Sequence, residues 1–260
     1  MKQITSVENS AIKLLKKLSK KKFRQETGLF VVDGLRACTL ALQSPYDIDS
    51  VYISESFASA HKDVLPLFEE FSCSLVPDKL LDSCSDTETP QGILCIAKIP
   101  EQNPEFIGEK YLYLDNVRDP GNVGTIIRSA DALGFDGVLL SEGCADLYSS
   151  KVVRSTMGSI FSVNTVTDCT TDTLINLKNH GFLIAASALS DNCVDLYRAE
   201  FSQKLIFILG NEANGISNEV LDISDIAVKI PMYGSAESFN VSIAAALLMG
   251  EVARRKYEER

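Results

Sequence analysis

The stretch "DPGNVGTIIRSADALGF", residues 119–135, follows the apolar run "YLYLD" and precedes "GVLL". That order reads as strand, turn, helix, strand, the unit of a parallel α/β sheet. The strand runs to Asp115, the chain loops through Pro120, and Asn122 is a candidate to cap the helix with its side-chain oxygen. Gly121, Gly124, Thr125 and Arg128 fall at spacings of three and four, so they share one stripe, while Ile126, Ala130 and Leu133 form the stripe expected to be buried. A cation is disfavoured near a helix N-terminus, where the backbone already presents about half a positive charge. Bare amides and Arg128 together suit an anion or a developing anion. The plain alternative is a surface arginine, with glycines that serve only the turn.

Working outward, the runs "GVLL", "FLIAAS", "LIFILG" and "IAVKIP" are almost continuously apolar, as in strands covered on both faces. A mostly parallel sheet is expected after residue 105. Before it, "LFVV", "VYIS", "CSLV" and "ILCIA" alternate with helical stretches near 34–43, 59–71 and 78–84, which makes a smaller α/β unit. Between them, "IPEQNPEFIGEK" (99–110) has two prolines, a glycine and no apolar period, and reads as a linker. The expected domains are 1–105 and 106–260.

Two further turns belong with the first. "LIFILGNEANGIS" spaces Gly210 and Gly215 like a phosphate loop, yet Ile216 stands where the lysine belongs, and Glu212 would set a carboxylate against phosphates. A triphosphatase is therefore excluded on charge; a loop that a ligand approaches closely, or a plain turn, remains. "IPMYGSAESFNVSIAAALLMGEVARRK" offers Ser238 or Asn240 as the cap of a helix apolar nearly all round from Val241 to Met249, suited to burial on more than one side and to a second subunit. Met232 and Phe239 read from composition as ordinary core residues.

Formal net charge is −10 at pH 7, which argues against nucleic acid. Residues 1–24, however, hold eight Lys/Arg (Lys2, Lys13, Lys16, Lys17, Lys20, Lys21, Lys22, Arg24) against Glu8 alone, a local +7 on a body of −17. This is a basic arm on an acidic body, suited to nucleic acid, or else a solvated helix face. Seven cysteines without a C-x-x-C and two histidines point to reduced, mostly buried thiols and no metal. Without a secretory signal or an apolar run of about 18 residues, no membrane role and a cytoplasmic location are expected.

In order and on their elements, "NVRDPGNVGTIIRSADALGF", "ILGNEANGIS" and "IPMYGSAESFNVSIAAAL" resemble the three motifs of the SpoU/TrmH family of RNA ribose 2′-O-methyltransferases, in the SPOUT superfamily. "ITSVENSAIKLLKKLSKKKFRQETGLFVVDGLR" and "TPQGILCIAK" are similar to the family's substrate-binding extension. Asp33 departs from its usual glutamate, and Phe239 from the usual leucine of the third motif. The resemblance implies a SpoU-type methyltransferase domain with a trefoil knot, a homodimer, S-adenosylmethionine as cofactor and RNA as partner, ribosomal RNA favoured and transfer RNA possible. It implies Arg128 as the catalytic arginine, with Asn122, Glu212, Ser238 and Asn240 as polar partners in catalysis. Leu209, Gly210, Ile230, Met232 and Phe239 are implied as donor contacts. Two rivals stand beside it: a noncatalytic RNA-binding protein of the same fold, and a nucleotide-dependent enzyme with a Rossmann-like sheet, for which "DPGNVG" is short of G-x-G-x-x-G.

Overall fold

The computed structural model describes residues 1–101, 106, 108–189 and 192–258. The expected boundary at residue 105, and part of the expected linker 99–110, lie outside the described residues. The chain forms two compact units: Met1–Glu101 with Asp146–Phe161, and Gln102–Ala145 with Ser162–Arg260. The return of Asp146–Phe161 to the first unit has no signal in composition, because "LYSSKVVRS" is an unremarkable amphipathic helix.

The first unit is built on five strands, β1 (Lys2–Gln3), β2 (Leu29–Asp33), β3 (Ile48–Ser54), β4 (Cys73–Val76) and β5 (Ile93–Lys98), in the order β1-β4-β3-β5-β2. β5 runs antiparallel to both neighbours. Helix Ser10–Lys17 with its C-cap Leu18 places Ile12, Leu15 and Leu18 in a core with Val76, Leu94 and Ile96, and helix Lys21–Thr27 follows it. Six lysines of this segment, Lys13, Lys16, Lys17, Lys20, Lys21 and Lys22, are exposed. Arg24 is not: it is 4% exposed, donates through Nη1 to the Leu18 carbonyl at 2.6 Å and through Nη2 to Asp146 at 2.5 Å. The helix expected at 59–71 is two short ones, Glu55–Ala60 and Leu65–Glu69. The first ends at His61, and Pro66 can only open the second, since its ring excludes a preceding helical turn.

The second unit carries β6 (Lys110–Leu114), β7 (Gly137–Ser141), β8 (Asn164–Cys169), β9 (Leu183–Ser187), β10 (Val194–Asp195), β11 (Leu205–Leu209) and β12 (Ile226–Lys229). Their order is β10-β12-β9-β11-β6-β7-β8, and every pairing is parallel. The central β11 is buried at all five positions, which explains its unbroken apolar run. β8 escaped the sequence reading because it is an edge strand, "NTVTDC", whose threonines and aspartate look like a loop. Among the described residues no helix is long and apolar enough to cross a membrane.

Parallel strands put all their C-terminal ends on one edge. From β6 the chain proceeds to β7 and β8 on one side; β9 to β12 build the other. The neighbours β6 and β11 thus flank the point where strand order reverses, the place where such sheets open a crevice for ligands.

Candidate active site

The three glycine-bearing turns leave this edge. The helix after β6 spans Pro120–Ala132, and its cap is Asp119, whose side chain accepts from the Asn122 amide at 2.8 Å. The expectation that Asn122 caps this helix is therefore corrected. Asn122 lies one turn inside, which frees its side chain for longer reach. The helix buries Val123, Gly124, Ile126, Ile127 and Ala130, while Leu133 is only half-buried. Thr125 and Arg128 are exposed, and Arg128 has no hydrogen-bond or ion-pair partner among the described residues.

Asn122 Nδ2 donates to Glu212 at 2.9 Å, and Asn240 Nδ2 donates to Asn122 Oδ1 at 3.0 Å. Asn240 Oδ1 in turn accepts from the Ser242 amide at 2.9 Å and the Ser242 hydroxyl at 2.6 Å, capping helix Val241–Glu258. The polarity of this chain is forced. An ionised Glu212 can only accept, so Asn122 must give its NH₂, turn its oxygen to Asn240, and thereby leave the Asn240 oxygen for the helix amides. Three residues separated by 90 and 118 positions are joined in one relay. Ser238 is exposed and takes no part in it.

Leu209 and Ile230 are buried at 1% and 7% exposure, Met232 is half-buried and Phe239 is 40% exposed. The amides of Gly210, Ile230 and Met232 take part in none of the turn and loop hydrogen bonds among the described residues. Apolar walls beside unengaged amides fit an adenine ring, which has a flat apolar face and an accepting edge. The glycines of the second turn have a different cause from close approach of a ligand. A Cβ on Gly210 would lie 2.2 Å from the Gly215 carbonyl carbon, and Asn211 and Gly215 exchange backbone hydrogen bonds at 2.9 Å each, so the loop closes on itself there. Gly215 adopts φ +70°, a conformation that costs glycine least.

Two residues beneath the site, Asp115 and Asn116, were not anticipated as supports of the turns. The buried Asp115 accepts from the Ser217 amide at 2.7 Å, tying the end of β6 to the turn after β11. Asn116 holds φ +58°, donates its amide to Ser141 Oγ at 2.8 Å, and accepts from Asn211 Nδ2 at 2.8 Å. The signal available for Asn116 is an asparagine directly after a strand, a residue that tolerates the left-handed region.

All seven cysteines are free, five of them buried. Burial pushes the Cys73 thiol up to about 11 and Cys169 up to about 12, so neither is a thiolate at neutral pH. Among the described residues no group of three or more His, Cys, Asp or Glu is placed to hold a metal ion.

Fold and site together define an α/β protein whose parallel sheet carries a carboxylate–amide relay on the turns at its switch point, with an exposed arginine further along the helix that holds Asn122. Residues 109–250 match the SpoU rRNA Methylase family, and residues 9–95 match the MRM3-like substrate binding domain. The chain belongs to the SpoU family. It is 34% identical over 249 residues to the 23S rRNA (guanosine(2553)-2′-O)-methyltransferase RlmP of Bacillus subtilis, covering 96% of this chain and 98% of the relative. A structure of an AdoMet-bound rRNA methyltransferase from Sinorhizobium meliloti superposes with TM-score 0.87 at 30% identity, covering 98% of both chains. The SpoU methyltransferase AviRb from Streptomyces viridochromogenes, in complex with AdoMet, gives TM-score 0.85 at 26% identity, covering 96% of this chain and 99% of that one.

Proposed function

We propose that the protein is an S-adenosylmethionine-dependent RNA ribose 2′-O-methyltransferase acting in the cytoplasm on ribosomal RNA. The observation that carries this reading is the relay Asn240–Asn122–Glu212 at the switch point, whose Asn122 lies on the same helix as Arg128, exposed and without a partner among the described residues. The likeness to rRNA methyltransferases over nearly the whole chain supports ribosomal rather than transfer RNA. Bound S-adenosylmethionine supplies an electrophilic methyl group. Leu209, Gly210, Ile230, Met232 and Phe239 would hold it, by apolar contact and by the amides that no loop bond consumes.

The ribose hydroxyl is a poor nucleophile until it sheds its proton. Arg128 stabilises the charge that develops on the 2′-oxygen, in a crevice where water is displaced by RNA. It does not itself take the proton, because a guanidinium stays charged below about pH 12; a phosphate of the substrate or a water does. Asn122, Glu212 and Asn240 are rigid through mutual bonding and orient the ribose, and Ser238 joins them when substrate arrives.

The third turn also accounts for assembly. Ile243 is 49%, Tyr233 92% and Phe239 40% exposed, and in this reading a second copy of the chain covers them. In this reading the C-terminal segment is threaded as a trefoil knot, residues 1–105 bind substrate and residues 106–260 catalyse.

The test is methyl transfer from labelled donor to 23S rRNA and, separately, to total tRNA, with chelator present, followed by mapping of 2′-O-methylated positions. Incorporation into rRNA at a single ribose is expected. Transfer to tRNA alone would overturn the ribosomal assignment, and transfer to neither RNA by folded protein that binds the donor would overturn the activity. A monomeric mass by light scattering at micromolar concentration would remove the dimer.

A further inference from the structure

Beside the relay lies a second cation whose position is set by a different device. Arg118 is exposed and sits in the turn between β6 and helix Pro120–Ala132. Its Nε donates to Asn116 Oδ1 at 3.0 Å, and among the described residues this is its one hydrogen bond. The guanidinium is therefore anchored by one edge, and both terminal nitrogens remain available. Their four N–H groups form the fork that matches two oxygens of a phosphate.

The anchor is itself held on every side. Asn116 takes φ +58°, its amide is bonded to Ser141 Oγ at 2.8 Å and its carbonyl to Asn211 Nδ2 at 2.8 Å. The next residue, Val117, is fully buried, and its carbonyl accepts from the Ala145 amide at 2.9 Å. The Asn116 side chain is pressed against Gly143: a Cβ built there, at φ +89°, would lie 2.7 Å from Asn116 Oδ1. Turns after β6, β7 and β11 thus converge on one asparagine, which sets the direction of Arg118 and, through Asn211, also steadies the loop that carries Glu212. The acceptor is a neutral amide. A carboxylate there would fix the arginine as firmly but cancel its charge, which suits an internal strut; an amide orients the guanidinium and leaves its charge for an outside ligand.

We infer that Arg118 is a phosphate-binding positioning residue for the RNA, oriented by Asn116 and Gly143. It grips a backbone phosphate flanking the nucleotide whose ribose enters the crevice. This rests on the reading of the protein as an RNA methyltransferase and names a contact within that site. A phosphodiester is the shared chemistry; the carboxylate of the methyl donor is the other anion that could use the same fork, and the experiment separates the two.

The experiment measures binding of 23S rRNA fragments by the full-length wild-type, Arg118→Ala, Arg118→Lys and Asn116→Asp proteins across a salt series, with donor affinity by calorimetry and fold by circular dichroism. For Arg118→Ala the expected results are RNA affinity weaker by about five- to tenfold and a log–log salt slope smaller by about one, with unchanged donor affinity. Arg118→Lys should recover the slope but only part of the affinity, because a point charge lacks the fork. Asn116→Asp is the decisive variant. If Arg118 is only a strut, the added carboxylate holds it better and RNA binding is unchanged; if it serves RNA, the carboxylate competes with phosphate and binding weakens as in Arg118→Ala. RNA binding by Arg118→Ala equal to wild type, or a loss confined to donor affinity, overturns the inference while leaving the enzyme reading intact. A wild-type protein that neither binds nor methylates the rRNA overturns the enzyme reading first and this inference with it.

Discussion

Two arginines, one in each unit of the chain, have opposite fates, and the contrast lies in how each charge is met. Arg24 closes the lysine-rich segment and looks like one more charge for RNA. It is nearly inaccessible, bonded to a carbonyl of its own segment and to Asp146. Arg128 lies on an ordinary amphipathic helix and is exposed with no partner among the described residues. A buried guanidinium is tolerated only when its charge is met inside the protein. One left exposed and unpaired among the described residues is the one that the proposed function gives to chemistry. Burial rather than residue type separates the two.

The sharpest way to break this contrast is to delete each arginine and measure both stability and activity. Arg24→Ala leaves Asp146 half-buried and unpaired and abandons the Leu18 carbonyl, so it should cost about 3–5 kcal/mol of stability. Urea unfolding would reveal it, and the methyl-transfer rate of the fraction that remains folded should be near normal. Arg128→Ala should do the reverse: an unchanged unfolding midpoint, with single-turnover methyl transfer reduced by about two to three orders of magnitude at saturating donor. Arg128→Lys should restore little. A wild-type transfer rate in Arg128→Ala would return this arginine to the status of a surface residue.

That contrast also marks what could be read before the structure. The parallel sheet was legible because β6, β7, β9 and β11 are largely buried on both faces and wear that burial as apolar runs; the edge strand β8 has no such requirement and no such signature. The three turns were legible as punctuation, and their resemblance to known motifs named Asn122, Glu212 and Asn240. Their joining in one relay was not legible, since hydrogen bonds across 90 and 118 positions depend on strand order, which local pattern does not encode. The same holds for Asp119 as the cap in place of Asn122, where the two candidates differ by one turn of chain. The fate of Arg24 was hidden for a topological reason: its partner Asp146 lies 122 residues away, in a segment that joins the first unit only after the chain has begun the second.

A smaller effect tests whether burial governs carboxylates as it does arginines. Glu251 is 6% exposed and bonded to Arg254 and Arg255, while Arg255 continues to the Ala199 and Leu196 carbonyls at 2.6 and 3.0 Å. Hydrogen bonds from Arg254 first, and then Arg255, hold its carboxyl at about 2, below the ordinary 4.5. A depressed folded-state value means that the stabilisation is complete above pH 4.5 and is lost as pH falls toward 2. Because Arg254 is half in solvent, its share is screened, and about 1–2 kcal/mol is expected. Glu251→Gln should lower stability at pH 7 and flatten the acid side of the stability profile between pH 4.5 and 2. An unaltered acid limb would show that the cluster does not couple to folding.

The smallest expected effect concerns the lysines that share a segment with Arg24. Lys16, Lys20 and Lys21 are exposed, and their side chains form no hydrogen bond or ion pair among the described residues. Lys13 is tied to Glu8 and Lys22 lies 3.8 Å from Glu26. If the exposed face meets RNA phosphates, each substitution to alanine should weaken binding by only about threefold, since solvent-facing pairs are worth less than about 1 kcal/mol each. The triple variant should nonetheless lower the log–log salt slope by about 2.7, because each lost phosphate contact removes about 0.9. Folding should be untouched, in contrast to Arg24→Ala in the same segment. An unchanged slope in the triple variant would mean that the lysines are a solvated helix face, and that RNA contact in the first unit must be sought on another surface.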